Sequence, residues 1–118
     1  MNFVSSDLTA PAREGQTCVE KLAELFPQSS PVRIGVCVST TGTGRRVLRE
    51  QTVIEFGTVR EVLFASSLPL EFEDRVRLRN SDGSLDVQAT VVAVRYHSGR
   101  KAVAARFTGE IENWIIKP

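Results

Sequence analysis

A change of hydrophobic period near residue 30 is the feature that most constrains how this chain can fold. Upstream of it, apolar residues recur every three or four positions, whereas from Val32 onward they alternate with polar residues and β-branched side chains predominate. Six short runs of this second kind, separated by turn sequences, fill about 75 residues. An open sheet of such strands would expose unpaired edges, and closure of the sheet removes them. The sequence therefore predicts a mainly β fold, a six-stranded antiparallel β-barrel with an N-terminal α-helix.

The turn sequences set the bounds of the six predicted strands. TTGTG, SDGS and HSGR contain the Gly, Asn, Asp or Ser residues that tight turns prefer, and Pro69 cannot donate a hydrogen bond within a sheet. The apolar run VVAV predicts burial on both faces of its strand. The predicted strands are 32–39, 45–56, 61–65, 75–79, 85–96 and 101–107.

The segment before the strands carries a helix signal. Thr17 and Glu20 have the spacing of a capping box, and an apolar face follows, which Pro27 should end. We accordingly divide the chain into a flexible N-terminal arm over 1–14, an amphipathic helix over 15–27 and a barrel domain over 32–116.

Composition excludes several classes of function. The chain has 118 residues with 42% apolar side chains, which suffices for one core. Its net charge of +1 gives no overall field that would attract nucleic acid. The N-terminal residues do not have the pattern of a signal peptide, and no apolar stretch is long enough for membrane insertion, so we expect a cytoplasmic protein.

The residues that usually carry catalysis or bind metals are scarce. His97 is the single histidine and is expected in a turn, while Cys18 and Cys37 lack metal-ligand spacing and are expected to be buried free thiols. We therefore expect no enzyme activity, no catalytic residues and no metal site.

The order of the segments carries a family resemblance. VLFASSLPLEFEDRVRL, then QATVVAVRYHSGRKAVAARF, then a closing NW make residues 32–116 resemble the PilZ domain, a small six-stranded barrel of bacterial signalling proteins. Many members of that family bind cyclic di-GMP through an RxxxR pair before the first strand and a [D/N]xSxxG loop before the third. The resemblance implies a regulatory domain.

Both cyclic di-GMP motifs are degenerate in this chain. Phe56, Thr58 and Glu61 occupy the Asp/Asn, Ser and Gly positions of the loop motif, so only Thr58 keeps the expected chemistry. A carboxylate at Glu61 would repel the phosphates, and the leading segment offers only Arg33. We expect no cofactor, cyclic di-GMP binding that is lost or weak, and a function in protein–protein interaction.

The RRVLR segment leaves an alternative open. Arg45 and Arg49 have the RxxxR spacing, and with Arg46 and Thr58 they would form the ligand site of a cyclic di-GMP receptor of non-standard geometry. The other interpretation is a solvated strand start. In a strand, Arg45 and Arg49 would stand roughly 13 Å apart, which is too rigid a spacing to close on one compact ligand.

Two further features point to surfaces. Trp114, Ile115 and Ile116 form an apolar cluster which, like the helix, would either bind a protein partner or pack on the barrel. Arg75, Arg77 and Arg79 form a one-sided basic row, either an anion or acidic-partner surface or a solvated face whose charge nearby carboxylates dilute.

Overall fold

A computed structural model describes residues 17–41, 46–97 and 99–109 of the chain. Its elements in chain order are α1 Cys18–Ala23, β1 Ser30–Thr40, β2 Arg49–Gly57, β3 Glu61–Ala65, β4 Arg75–Asn80, β5 Asp86–His97 and β6 Arg100–Phe107.

The six strands form one closed antiparallel barrel, as predicted. Their order around the barrel is β1-β2-β3-β6-β5-β4, and the β1–β4 pairing, with Val38 opposite Leu78, closes the ring. Both of these side chains are fully buried, since alternate residues of each strand point into the interior. The fold class expected from the hydrophobic period is confirmed.

The start of β2 differs from the prediction. The strand begins at Arg49 and not at the expected residue 45, because β1 ends at Thr40 and the described residues Arg46 and Val47 have no neighbouring strand to pair with. Thr40 closes the ladder, since its backbone N–H donates to the Leu48 carbonyl and its hydroxyl accepts from the Leu48 N–H, both at 3.0 Å. Of the four RRVLR residues that the structure describes, 46–49, only Arg49 is strand. At the other end of the hairpin, β1 begins at Ser30, two residues earlier than expected, where it pairs with Gly57.

The helix is shorter than the predicted 15–27. The capping box is present, with the Glu20 N–H donating to the Thr17 hydroxyl at 3.0 Å and the Thr17 N–H donating to Glu20 Oε1 at 2.7 Å. Beyond Ala23 the N–H groups of Leu25 and Phe26 bond to carbonyls three residues back, so the chain tightens into turns before Pro27. Residues 15 and 16 lie outside the described part.

Two apolar clusters hold the fold together. One fills the barrel, and the other lies between α1 and the outer surface of β3, β5 and β6. β5 serves both, because Val91 and Val94 belong to the interior cluster while Val92 and Ala93 pack against the helix cluster. VVAV thus packs on both faces of its strand, with Val91 fully buried and the other three residues partly buried, and the strand has a bulge between Val91 and Ala93.

The two thiols are free, but only one is buried. Cys18 is buried in the helix cluster, with its Sγ 3.3 Å from the Arg95 carbonyl oxygen and 3.6 Å from that of Arg100. Cys37 is half-buried, contrary to expectation, because it alternates with the inward-pointing Val36 and Val38 and so lies on the outer face of β1.

The 66–74 connection joins strands on opposite sides of the ring. β3 and β4 are three places apart in the strand order, so this segment has to traverse the barrel. Leu68 and Leu70 are buried in the interior cluster. We call residues 66–74 the crossover.

Candidate functional site

The turn between β2 and β3 holds Thr58, the one residue of the loop motif that keeps the chemistry expected from the PilZ resemblance. Its hydroxyl donates to Glu61 Oε1 at 2.6 Å and accepts from the backbone N–H groups of Arg60 and Glu61 at 3.0 and 2.9 Å. The residue is buried, with 8% of its surface exposed. These bonds commit the hydroxyl to the turn itself.

Glu61 completes this arrangement. Its second oxygen, Oε2, accepts from Arg106 on the neighbouring strand β6, at 2.9 Å from Nε and 2.7 Å from Nη2. Where the resemblance expects glycine, the protein has a carboxylate that bonds to Thr58 on one side and to Arg106 on the other. Phe56, at the Asp/Asn position, is half-buried and packs against the helix cluster.

The surroundings of this turn carry further negative charge. Burial and the nearby Glu20 raise the pKa of Glu55 above its ordinary value, and Arg33 opposes them. Arg33 is the lone arginine of the segment where the family has its RxxxR pair. Glu55 and Glu20 thus offset the charge of Arg33, which weakens the attraction of this guanidinium for a dianionic ligand.

The structure does not bring the predicted ligand residues together. Arg49 begins β2 and Thr58 directly follows its last residue, so at a rise of about 3.3 Å per residue they lie roughly 25–30 Å apart. Arg46 lies just before the strand, exposed, near the Arg49 end. Arg45 is outside the described residues, as are Trp114, Ile115 and Ile116, so the partner-binding prediction for that cluster stays a prediction.

At the Arg49 end of β2, Glu50 fixes the start of the crossover. Its Oε1 accepts from the Ser66 hydroxyl at 2.7 Å, and its Oε2 accepts from the Ser67 N–H at 2.9 Å and from the Ser67 hydroxyl. Burial acts to raise the pKa of Glu50, but the hydrogen bonds from Ser67 and Ser66 outweigh it and the pKa is lowered. The carboxylate is therefore held in its charged form.

Lys101 fixes the middle of the crossover from β6. Its ammonium donates to the Leu68 carbonyl and, at 3.4 Å, to the Leu70 carbonyl, while both leucine side chains are buried. A cavity of about 590 Å³ beside these groups is lined by Glu50, Lys101 and the exposed Tyr96. Because Glu50 and Lys101 already bond to the crossover, their role beside this cavity is to hold that segment in place.

The end of the crossover is a tight turn that exposes an aromatic ring. Within the turn the Glu71 N–H donates to Asp74 Oδ2 at 2.9 Å and the Asp74 N–H donates to the Glu71 carbonyl at 3.0 Å. Two backbone bonds of 2.8 Å join Glu73 and Asp74 to Val91 on β5. Phe72, at the tip, is 65% exposed.

Glu73 occupies a strained conformation in this turn. Its φ of 76° is the one positive value among the non-glycine residues that the structure describes. A side chain in this region costs of order 1 kcal/mol or more, and such strain persists only where the surrounding structure imposes it. Here the backbone bonds to Val91 impose it, and they hold the backbone of the turn that carries Phe72.

A second cavity, of about 520 Å³, lies on the other side of the crossover. Leu48, Pro69 and Leu70 form its apolar wall. Its charged lining comprises Arg46, Arg75, Glu73 and Asp74. The RRVLR segment contributes Arg46 and Leu48 to this cavity and the arginine row contributes Arg75, which neither motif indicated alone.

The rest of the arginine row forms a solvated, neutralised face. Arg77 donates to both oxygens of Asp86 at 2.7 Å, and Arg79 Nε lies 3.6 Å from Asp86 Oδ2. These bonds raise the pKa of Arg77 and lower that of Asp86, even though desolvation of the Asp86 carboxylate partly opposes its shift. The interpretation in which acidic residues dilute this row is confirmed for these two arginines.

Comparisons with protein-family models, with curated proteins and with solved structures find no match to this chain. In the ranges 17–41, 46–97 and 99–109, no helix has the length and apolar character that a membrane crossing requires. Nor do the described residues include three or more His, Cys, Asp or Glu side chains grouped as metal ligands.

Proposed function

We propose that this protein is a PilZ-like bacterial regulatory domain that acts in the cytoplasm by binding a protein partner, and in which cyclic di-GMP binding is lost or weak. The observation that carries the proposal is Phe72, an exposed aromatic side chain on a turn whose backbone is fixed in a strained conformation.

An exposed phenylalanine on a turn with a fixed backbone suits protein recognition. An aromatic ring contributes a large apolar area, and aromatic anchors account for much of the binding energy at many interfaces. The backbone bonds between the turn and Val91 hold the backbone of this turn before any partner arrives, so less backbone entropy remains to be lost on binding. Glu71 and Glu73 flank the ring, which favours a partner with an apolar pocket bordered by basic residues.

The Thr58 turn supports the loss of cyclic di-GMP binding. The Thr58 hydroxyl would have to leave Glu61 to contact a ligand, and the backbone N–H groups of Arg60 and Glu61 would lose their acceptor. The alternative receptor, built from RRVLR and Thr58, would need one ligand to span most of the length of β2. No catalytic role is proposed.

The partner hypothesis is tested by capture followed by titration. Protein captured from native cells by the intact chain is compared with that captured by Phe72→Ala and by Leu25→Ala, a matched control in which an equally exposed leucine of the helix end is truncated. The retained partner is then purified and titrated. We expect at least a tenfold loss of affinity for Phe72→Ala and little change for Leu25→Ala. Equal affinity of both variants would exclude Phe72 as the anchor.

A third variant tests the predicted partner-binding role of the C-terminal cluster. A variant with Trp114, Ile115 and Ile116 replaced by alanine is titrated against the same partner, with circular dichroism to establish folding. A loss confined to this variant would move the interface from Phe72 to the cluster.

Cyclic di-GMP binding is tested by calorimetry on the intact chain. We expect no binding at micromolar concentrations. A dissociation constant of about 10 μM or tighter, abolished by Thr58→Ala or by Arg49→Ala, would replace the interaction-domain proposal with the receptor alternative.

A further inference from the structure

The cavity beside the crossover combines charges of both signs that do not neutralise each other. Arg46 and Arg75 line it together with Glu73 and Asp74. Within the described residues, the ion pairs all lie elsewhere, on Asp86 and on Glu61, and none of these four groups takes part in one.

Arg75 differs from the other two arginines of β4 because it forms no ion pair with a described residue. Arg75, Arg77 and Arg79 point to the same side of one strand, and the latter two contact Asp86. Opposite Arg75 on β5 stands the uncharged Thr90. The guanidinium of Arg75 is therefore available to a ligand in the cavity, whereas those of its two neighbours are engaged.

The cavity is held in shape by its framework. Leu70 is buried in the barrel core and forms part of the cavity wall, and Glu73 is fixed through its backbone bond to Val91. The Thr41 hydroxyl donates to the Arg75 carbonyl at 3.3 Å, which joins the ends of β1 and β4 at the cavity. A volume of about 520 Å³ lies within the range of small-molecule sites.

From this geometry we propose that the cavity binds a small zwitterionic molecule of the amino-acid or short-peptide class. Its carboxylate would bond to Arg46 and Arg75, its ammonium group would face Glu73 and Asp74, and an apolar side chain would contact Leu48 and Leu70. Guanidinium groups form strong charge-assisted bonds with carboxylates. Two lining carboxylates offset the two guanidinium groups, so the cavity selects against a ligand that carries only negative charge.

The test uses the dipeptide leucyl-leucine as the probe. Binding to the full chain is followed by amide chemical shifts and by calorimetry, alongside the N-acetylated dipeptide, the C-terminal amide, free leucine and inorganic phosphate. We expect a dissociation constant below about 1 mM for the zwitterion, with shifts at Thr41, Arg75 and Gln88, and at least tenfold weaker binding of each blocked form. Free leucine separates an amino-acid site from a peptide site, and either result supports the proposal.

Matched variants locate the site. Arg75→Ala and Glu73→Gln should each weaken dipeptide binding at least tenfold. Arg79→Ala on the same strand and Glu71→Gln in the same turn should leave it unchanged, as should Phe72→Ala, which keeps this test independent of the proposed protein partner. No shift at cavity residues with either the dipeptide or free leucine at about 10 mM would overturn the proposal. So would equal binding of the blocked forms, or a preference for phosphate.

Discussion

The hydroxyl of Thr58 donates to Glu61 Oε1, three residues along the chain, at 2.6 Å. The hydroxyl oxygen of Thr58 also accepts from the backbone N–H groups of Arg60 and Glu61. Thr58→Val keeps the shape of the side chain and removes all three bonds. We expect it to lower the free energy of unfolding by about 1–3 kcal/mol, because buried polar groups then lack a partner. Urea denaturation measures the change. Thr58→Ser, which keeps the hydroxyl, should cost less, and equal stability of Val and wild type would contradict the role given to the hydroxyl.

The carboxylate of Glu50 is expected to make stability depend on pH. Since its pKa is lowered in the folded state, its contribution is fully present above the unfolded pKa and is lost as the pH falls through the folded pKa. Glu50→Gln should therefore be less stable than wild type near pH 7, by on the order of 1 kcal/mol after allowance for solvent screening. The two proteins should converge in acid. Thermal unfolding between about pH 2 and 7 measures this, and equal stability of Glu50→Gln and wild type at pH 7 would contradict the role given to the carboxylate.

Glu55 should have the opposite effect. Its pKa is raised, so the folded state resists ionisation, and a cost to stability appears as the pH rises above the unfolded pKa and is complete above the folded one. Glu55→Gln should thus be more stable than wild type near pH 7 and equal to it in acid. Arg33→Gln removes the favourable charge and should make the decline of stability with rising pH steeper. Thermal unfolding against pH is again the measurement, and a Glu55→Gln advantage that persists in acid would point to packing instead of charge.

Packing of the helix on the barrel rests on Leu22. Its side chain is fully buried in the helix cluster, so Leu22→Ala should cost about 2–5 kcal/mol in the free energy of unfolding. Leu25, three residues later, is 61% exposed, and Leu25→Ala should cost less than about 0.5 kcal/mol. Urea denaturation compares the two. A small effect of Leu22→Ala would mean that the helix contributes little to the folded barrel.

Much of the fold could be predicted because local sequence encodes it. The alternation in β1, the capping residues Thr17 and Glu20 and the turn sequences act within a few residues of each other, and hydrophobic alternation selects the face that is buried. The predicted start of β2 was wrong because strand formation there depends on residues that are distant in sequence. Arg46 and Val47 have strand-compatible neighbours in sequence, but a strand needs a paired backbone, and β1 ends too soon to supply it.

The candidate sites were predicted less well. That Glu61 stands where the PilZ loop motif has glycine could be read from the sequence, whereas the bond of Glu61 to Arg106, 45 positions away, could not. Phe72 gave no sequence signal beyond its place in a connection, because exposure of an aromatic residue depends on the path of the surrounding backbone. Placement of Glu73 at positive φ was equally hidden, since its cause is the pairing with Val91.

By itself, the sequence determined that this chain forms a closed β-barrel preceded by a capped helix, since periodicity, turns and caps operate over short distances. Only the tertiary structure decided which charges meet. Glu50 reaches Ser66 and Ser67 across 16 and 17 positions, and Arg46 joins Arg75 at one cavity, because strand order and register bring distant segments side by side. The chemistry of a side chain determines what it can bind, but its neighbours across the barrel determine whether it is free to bind.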